Sequence, residues 1–104
     1  MNIIATSFLL LICVHAFASV PTLEQLQDQL AHEPNKPSAL YNLGLLHYLS
    51  DNYSEAIAPW KKLKSLNPED WQLRTKLIQT YSASGKIEER DAEIEELRTL
   101  RASG

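Results

Sequence analysis

Apolar positions between residues 37 and 70 fall at helical spacing twice in succession. Leu40, Leu43, Gly44, His47 and Tyr48 make one i, i+3, i+4, i+7, i+8 stripe, and Tyr53, Ala56, Ile57, Trp60 and Leu63 make a second. Between them lie Ser50, Asp51 and Asn52, short polar side chains that satisfy helix ends and turns. The pattern predicts a helical hairpin. Asn67-Pro68 predicts the end of the second helix and the start of a third, with Asn67 as N-cap and Pro68 at the first helical position. Glu69 and Asp70 then fall in a first turn, where the helix dipole favours acidic side chains. Pro59, inside the second helix, is expected to remove one backbone bond and bend it. A hairpin of this kind leaves one apolar side open and needs neighbours of its own type.

Residues 71–104 supply that neighbour when the chain is laid over itself at an offset of 34 residues. Six positions are identical: Leu43 with Leu77, Ser50 with Ser84, Glu55 with Glu89, Ala58 with Ala92, Leu63 with Leu97 and Leu66 with Leu100. Other pairs keep the physics, among them His47 with Tyr81, Tyr53 with Ile87, Trp60 with Ile94 and Lys64 with Arg98. The second copy predicts a helix over Trp71–Ala83 that buries Leu73, Leu77, Ile78 and Tyr81, and a turn at Ser84-Gly85-Lys86 where Gly85 allows positive φ. A last helix follows over Ile87–Arg101, with Arg98 and Arg101 on the favourable side of its dipole. Ahead of the first copy, Thr22–His32 reads as a helix with Leu23, Leu26 and Leu30 on one side, ended by Pro34 and Pro37. At the same offset Leu26 matches Trp60 and Pro34 matches Pro68, so residues 19–36 are a half unit lacking its first helix.

These residues carry a resemblance. Leu40, Leu43-Gly44, His47, Tyr53, Ala56, Trp60, Leu63 and Pro68 resemble the pattern of a tetratricopeptide repeat, and the second copy resembles it more loosely through Arg74, Leu77-Ile78, Tyr81, Gly85, Ile87, Arg90, Ile94 and Leu97. The departures are Leu40 and His47 for the usual Trp and Tyr, Leu63 and Arg90 for small residues, and Ala102 for the proline. The resemblance implies an all-α fold of helix-turn-helix repeats stacked as a short right-handed α-solenoid. It also implies a close helix–helix approach at Gly44, looser at Ile78, and a concave surface lined mainly by the first helix of each repeat. Mapped onto this chain, that surface holds Ser38, Tyr41, Asn42, Leu45, Tyr48 and Leu49, then Gln72, Thr75, Lys76, Gln79 and Ser82. Tyr41, Asn42, Leu45, Tyr48, Lys76 and Gln79 are the candidate partner-binding residues. Tyr41 and Leu45 have a competing reading as partly buried packing residues, and amphipathic Tyr48 is the better candidate for direct contact. Some members of the family grip a C-terminal carboxylate with Asn and basic residues; Asn42 fits, Lys76 fits in part, and Gln72 does not.

Residues 3–14 contain no charge and lead into Ala16-Phe17-Ala18, a small-x-small cleavage pattern. Residues 1–18 are therefore expected to be a secretory signal peptide cut after Ala18, although Met1-Asn2 lacks the usual Lys or Arg. The competing readings are an uncleaved membrane anchor, short for a span of about 20 residues, and lipid attachment at Cys13. Cleavage removes the only cysteine, leaving neither a disulfide framework nor a zinc-type cysteine cluster. A net charge of −3 argues against a nucleic-acid surface, which needs a basic stripe.

No constellation points to catalysis, a cofactor or a metal. His32 and His47 lie on separate elements, and His47, at the register of Tyr81, reads as a core residue. Glu88, Glu89, Glu93, Glu95 and Glu96 read as a solvated helix face on which nothing separates one carboxyl from another. The expected function is that of a non-catalytic adaptor or scaffold, periplasmic or secreted, binding another protein or peptide and free of the membrane once cleaved. The alternatives are the N-terminal docking part, or a fragment, of a longer repeat protein, and an accessory subunit of an enzyme complex. Solenoids generally need about three repeats to bury a continuous core. Ile87, Ile94, Leu97 and Leu100 are accordingly expected to be left partly open, for self-association through the last helix or for a partner.

Overall fold

The computed structural model describes residues 21–103, so the signal-peptide reading of residues 1–18 lies outside the described residues. The described residues form five helices and no strand: α1 (Leu23–His32), α2 (Pro37–Leu49), α3 (Tyr53–Leu66), α4 (Trp71–Ala83) and α5 (Ile87–Ser103). Each helix packs against the ones before and after it in the chain. No helix among the described residues is long and apolar enough to cross a membrane.

The 34-residue offset seen in the side chains recurs in backbone hydrogen bonds. In the turn after α2, the Asn52 amide donates to the His47 carbonyl; in the turn after α4, the Lys86 amide donates to the Tyr81 carbonyl, both at 2.8 Å. Asp51 (φ 61°) and Gly85 (φ 76°) occupy the matching left-handed position. Glycine reaches that region without steric cost, and Asp is among the few other residues that visit it. The connection from α1 to α2 repeats in the connection from α3 to α4. Lys36 donates to the Glu33 carbonyl as Asp70 does to the Asn67 carbonyl, each at 3.2 Å. The two connections therefore share one backbone hydrogen-bond pattern.

One helix start differs from the expectation. Asn67 closes α3, its amide donating to the Leu63 carbonyl, and Pro68-Glu69 form the turn that follows. α4 is capped instead by Asp70, whose carboxylate accepts the Leu73 amide at 3.1 Å. A charged cap at this point satisfies an orphan amide and complements the helix dipole, so the helix begins at Trp71. The start of α1 is fixed by a capping box: Thr22 Oγ1 accepts the Gln25 amide at 3.2 Å, and Gln25 Oε1 accepts the Thr22 amide at 2.9 Å. On α1 only Leu26 is fully buried; Leu30 is half-buried and Leu23 is exposed, a narrower face than its three leucines predict. α1 packs chiefly on one neighbour, α2, and so is covered along one line.

The core runs through three helices: Leu40 of α2, Ala56, Ile57, Trp60 and Leu63 of α3, and Leu73, Leu77 and Tyr81 of α4. Trp60 is its centre, fully buried, with its indole against Gly44 where any Cβ would collide with the ring. The indole Nε1 donates to the Tyr41 carbonyl at 3.1 Å, so the buried polar edge is satisfied. α3 runs as one helix through Pro59, which is itself buried. Ile78, at the register of Gly44, is half-buried, and Leu73, Leu77 and Tyr81 are buried as their spacing implies.

Candidate functional site

Tyr41 and Asn42 sit side by side on α2, half-buried, in a cleft of about 460 Å³ between the start of α2 and the end of α3. Pro37 and Ser38 form one wall, Leu63 and Leu66 the other, and Asp70 at the cap of α4 closes the end. Leu45 and Tyr48 are half-buried and pack against the core. Tyr48 lies 5.8 Å from Trp60 and edge-on to Tyr53 at 5.3 Å, while Tyr41 lies 6.3 Å from Trp60. Each such aromatic pair adds about 0.5–1.5 kcal/mol beyond burial, so these two tyrosines hold α2 on α3 with part of each ring left open. On α4, Lys76 is half-buried and Gln79 exposed. Leu49, at the far end of α2, is exposed.

The glutamates of α5 do not form one solvated face. Glu93 is only 4% exposed and is held at both oxygens, by Arg74 Nη1 at 2.7 Å and by Lys64 Nζ at 2.8 Å. Glu96 joins them, 2.8 Å from Arg74 and 3.4 Å from Lys64. Arg74 is buried too, and its Nε donates to the Pro68 carbonyl at 2.7 Å, tying the network to the turn between α3 and α4. The expectation of interchangeable carboxylates is thus corrected: Glu93 faces inward because two cations from α3 and α4 converge on it. A trace was legible at the 34-residue offset, where Arg74 falls on Leu40 and Glu93 on Pro59, both buried in the first unit. Opposite charges at two positions that are apolar in the first unit signal a buried pair.

Burial alone would lower the Lys64 ammonium, but the hydrogen bond and charge of Glu93, with Glu96, outweigh it and raise its pKa. Burial would likewise lower Arg74, but the hydrogen bond to Glu96 and the charge and hydrogen bond of Glu93 outweigh it and raise its pKa. Burial, then Glu93, raises the Tyr81 phenol. The hydrogen bond from Arg74 holds the Glu96 carboxyl below its ordinary value, against its partial desolvation, with Lys64 adding to the effect. The unfolded chain therefore binds more protons than the folded one between those two values. The Glu96 contribution is full above the ordinary value of 4.5 and is lost as the pH falls through the lowered one. Glu96 is 55% exposed, and solvent screening keeps the effect modest. Glu96→Gln is expected to lower the melting temperature at pH 7, by a margin that shrinks below about pH 4. A margin constant across the acid range would contradict this.

His32 is exposed on α1 and His47 half-buried on α2, so the structure keeps the two histidines on separate helices. No group of three or more His, Cys, Asp or Glu side chains converges to hold a metal among the described residues. No family model, curated protein or solved structure matches this chain. Its geometry and sequence therefore carry the functional reading.

Proposed function

We propose that this chain is a non-catalytic protein–protein interaction module, an adaptor or scaffold of tetratricopeptide type. In this reading two repeats and a half unit stack as a short right-handed α-solenoid. The observation that supports it is the 34-residue recurrence of the turn hydrogen bonds, from His47–Asn52 to Tyr81–Lys86, together with the matched left-handed residues Asp51 and Gly85. α2 and α4 are the first helices of the two units, and a bound polypeptide segment would lie across them. Tyr41 and Asn42 offer a half-open cleft with an apolar wall and an amide, and Lys76 and Gln79 offer polar groups on α4. Tyr48 contributes an open edge while its ring stays in the aromatic cluster. Recognition of this kind needs no cofactor and no catalytic group, and the module acts outside the cytoplasm after loss of residues 1–18.

Photo-crosslinking tests the reading. A benzophenone side chain at Asn42 or at Lys76 should give discrete protein adducts in cells making the chain, and the same group at Lys62, exposed on α3, should not. The exported chain should have the intact mass of a product beginning at Ser19. Equal labelling from Lys62, or none from any position, would contradict the binding surface; a cell-associated chain retaining Met1 would contradict export.

A further inference from the structure

The two units are alike enough to be confused. α3 and α5 share Ala58 with Ala92, Leu63 with Leu97 and Leu66 with Leu100, so either would present a similar stripe to α2 or to α4. Exchange of like elements, within a chain or between copies, is a characteristic failure of repeat chains. Two layers set the hairpins apart. In the first, Gly44 of α2 lies against the Trp60 indole of α3, where any Cβ would collide with the ring. The counterparts in α4 and α5 are Ile78 and Ile94, both half-buried. In the second, Arg74 of α4 donates to Glu93 of α5 at 2.7 Å, with both side chains buried. The counterparts in α2 and α3 are Leu40 and Pro59, also buried. The flanking charges differ in the same way. Lys64, which also holds Glu93, has Leu30 as its counterpart, and Glu96, which also holds Arg74, has Lys62.

Each difference on one helix is thus matched by a difference on the helix it pairs with. We infer that the two layers, one of size and one of charge, form a pairing code that joins α3 to α2 and α5 to α4 and excludes their exchange. α5 on α2 would bring Glu93 beside Leu40 and Leu30 with no cation, and would leave Ile94 to fill the space of an indole. α3 on α4 would drive the Trp60 ring into Ile78 and leave Arg74 facing Lys62 where Glu96 now stands. A buried charge without its partner keeps its desolvation cost, so both exchanges fail on charge as well as on shape. Burying the ion pair adds little stability of its own; excluding the wrong neighbour gives it a use. The code rests on the 34-residue recurrence alone and stands whether or not the chain binds another protein.

Moving one layer between units tests the code in the full chain. Pro59→Glu puts the α5 carboxylate on α3 and should lower the melting temperature by roughly 10 °C or more. Adding Leu40→Arg, on the helix that α3 pairs with, should restore at least half of the loss. Leu49→Arg, at the exposed end of the same helix, should restore none of it. A second arm removes the distinctions. Arg74→Leu with Glu93→Leu keeps the size layer, and this chain should sediment as the unaltered one does after refolding from urea. Adding Ile78→Gly and Ile94→Trp makes the two hairpins alike. That chain should keep its helical circular dichroism, while its association rises about tenfold and the Trp60 indole N–H, a single resonance in the unaltered chain, splits. A loss that Leu40→Arg does not restore, or that Leu49→Arg restores equally, would overturn the code. So would a folded fourfold variant with one Trp60 resonance and unaltered sedimentation. The rescue decides the question even where the fourfold variant fails to fold.

Discussion

Trp60→Ala is expected to lower the stability of the folded chain by about 3–5 kcal/mol, the range for truncating a large buried aromatic. Trp60 is 0% exposed, lies among residues of α2, α3 and α4, and donates its indole hydrogen to the Tyr41 carbonyl. Truncation empties the centre of the core and removes the ring that Tyr41 and Tyr48 rest on. Gly44→Ala probes the same contact from the other side. The added methyl would enter the indole, and such overpacking costs about 1–3 kcal/mol. In the double variant the Gly44→Ala penalty should largely vanish, a coupling that denaturant titration of the four proteins measures directly. A loss of under about 1 kcal/mol for Trp60→Ala, within the range of surface changes, would show that Trp60 is not at the centre.

The second large effect lies in the charged network. Glu93→Ala leaves Arg74 buried with only the half-exposed Glu96 and the Pro68 carbonyl for company. Removing one partner of a buried pair costs about 3–5 kcal/mol, and the surviving Glu96 contact places this variant toward the lower end. Burying a charged pair does not by itself add stability, because desolvation offsets most of the attraction. Replacing both partners, Arg74→Leu with Glu93→Leu, should therefore recover much of what Glu93→Ala loses. Leucine already occupies the buried first-unit position matching Arg74, namely Leu40. Urea unfolding of the single and double variants gives the comparison. A Glu93→Ala effect within about 0.5 kcal/mol, as for an ordinary surface change, would mean that the carboxylate is solvated.

The helices were legible because burial imposes its period on the sequence. Leu40, Ala56, Trp60, Leu63, Leu73, Leu77 and Tyr81 fall at helical spacing and are all buried. Gly44 and Gly85 were legible for separate reasons, one the absence of a side chain beneath an indole, the other a left-handed backbone. What periodicity could not give was the inward turn of Glu93. A charged side chain is buried only when its partners are in place, and Lys64 and Arg74 lie 29 and 19 residues away in sequence. The cap of α4 is Asp70 rather than Asn67 because both are good caps, and only the turn through Pro68-Glu69 decides between them. Among the surface residues, the helical spacing already put Tyr41 and Asn42 on α2 and Lys76 on α4. It could not show that Tyr41 and Asn42 share a cleft closed by Asp70, which depends on how α4 lies on α3.

If one 34-residue backbone unit recurs along this chain, residue-resolved amide hydrogen exchange should find its two turns protected alike. The Asn52 and Lys86 amides, bonded across their turns to His47 and Tyr81, should exchange far more slowly than amides of an unstructured chain. The Lys36 and Asp70 amides, which share their own bond pattern one unit apart, should likewise be protected as a pair. If Asn52 is protected while Lys86 exchanges at the unstructured rate, or the reverse, the two turns are not copies of one unit.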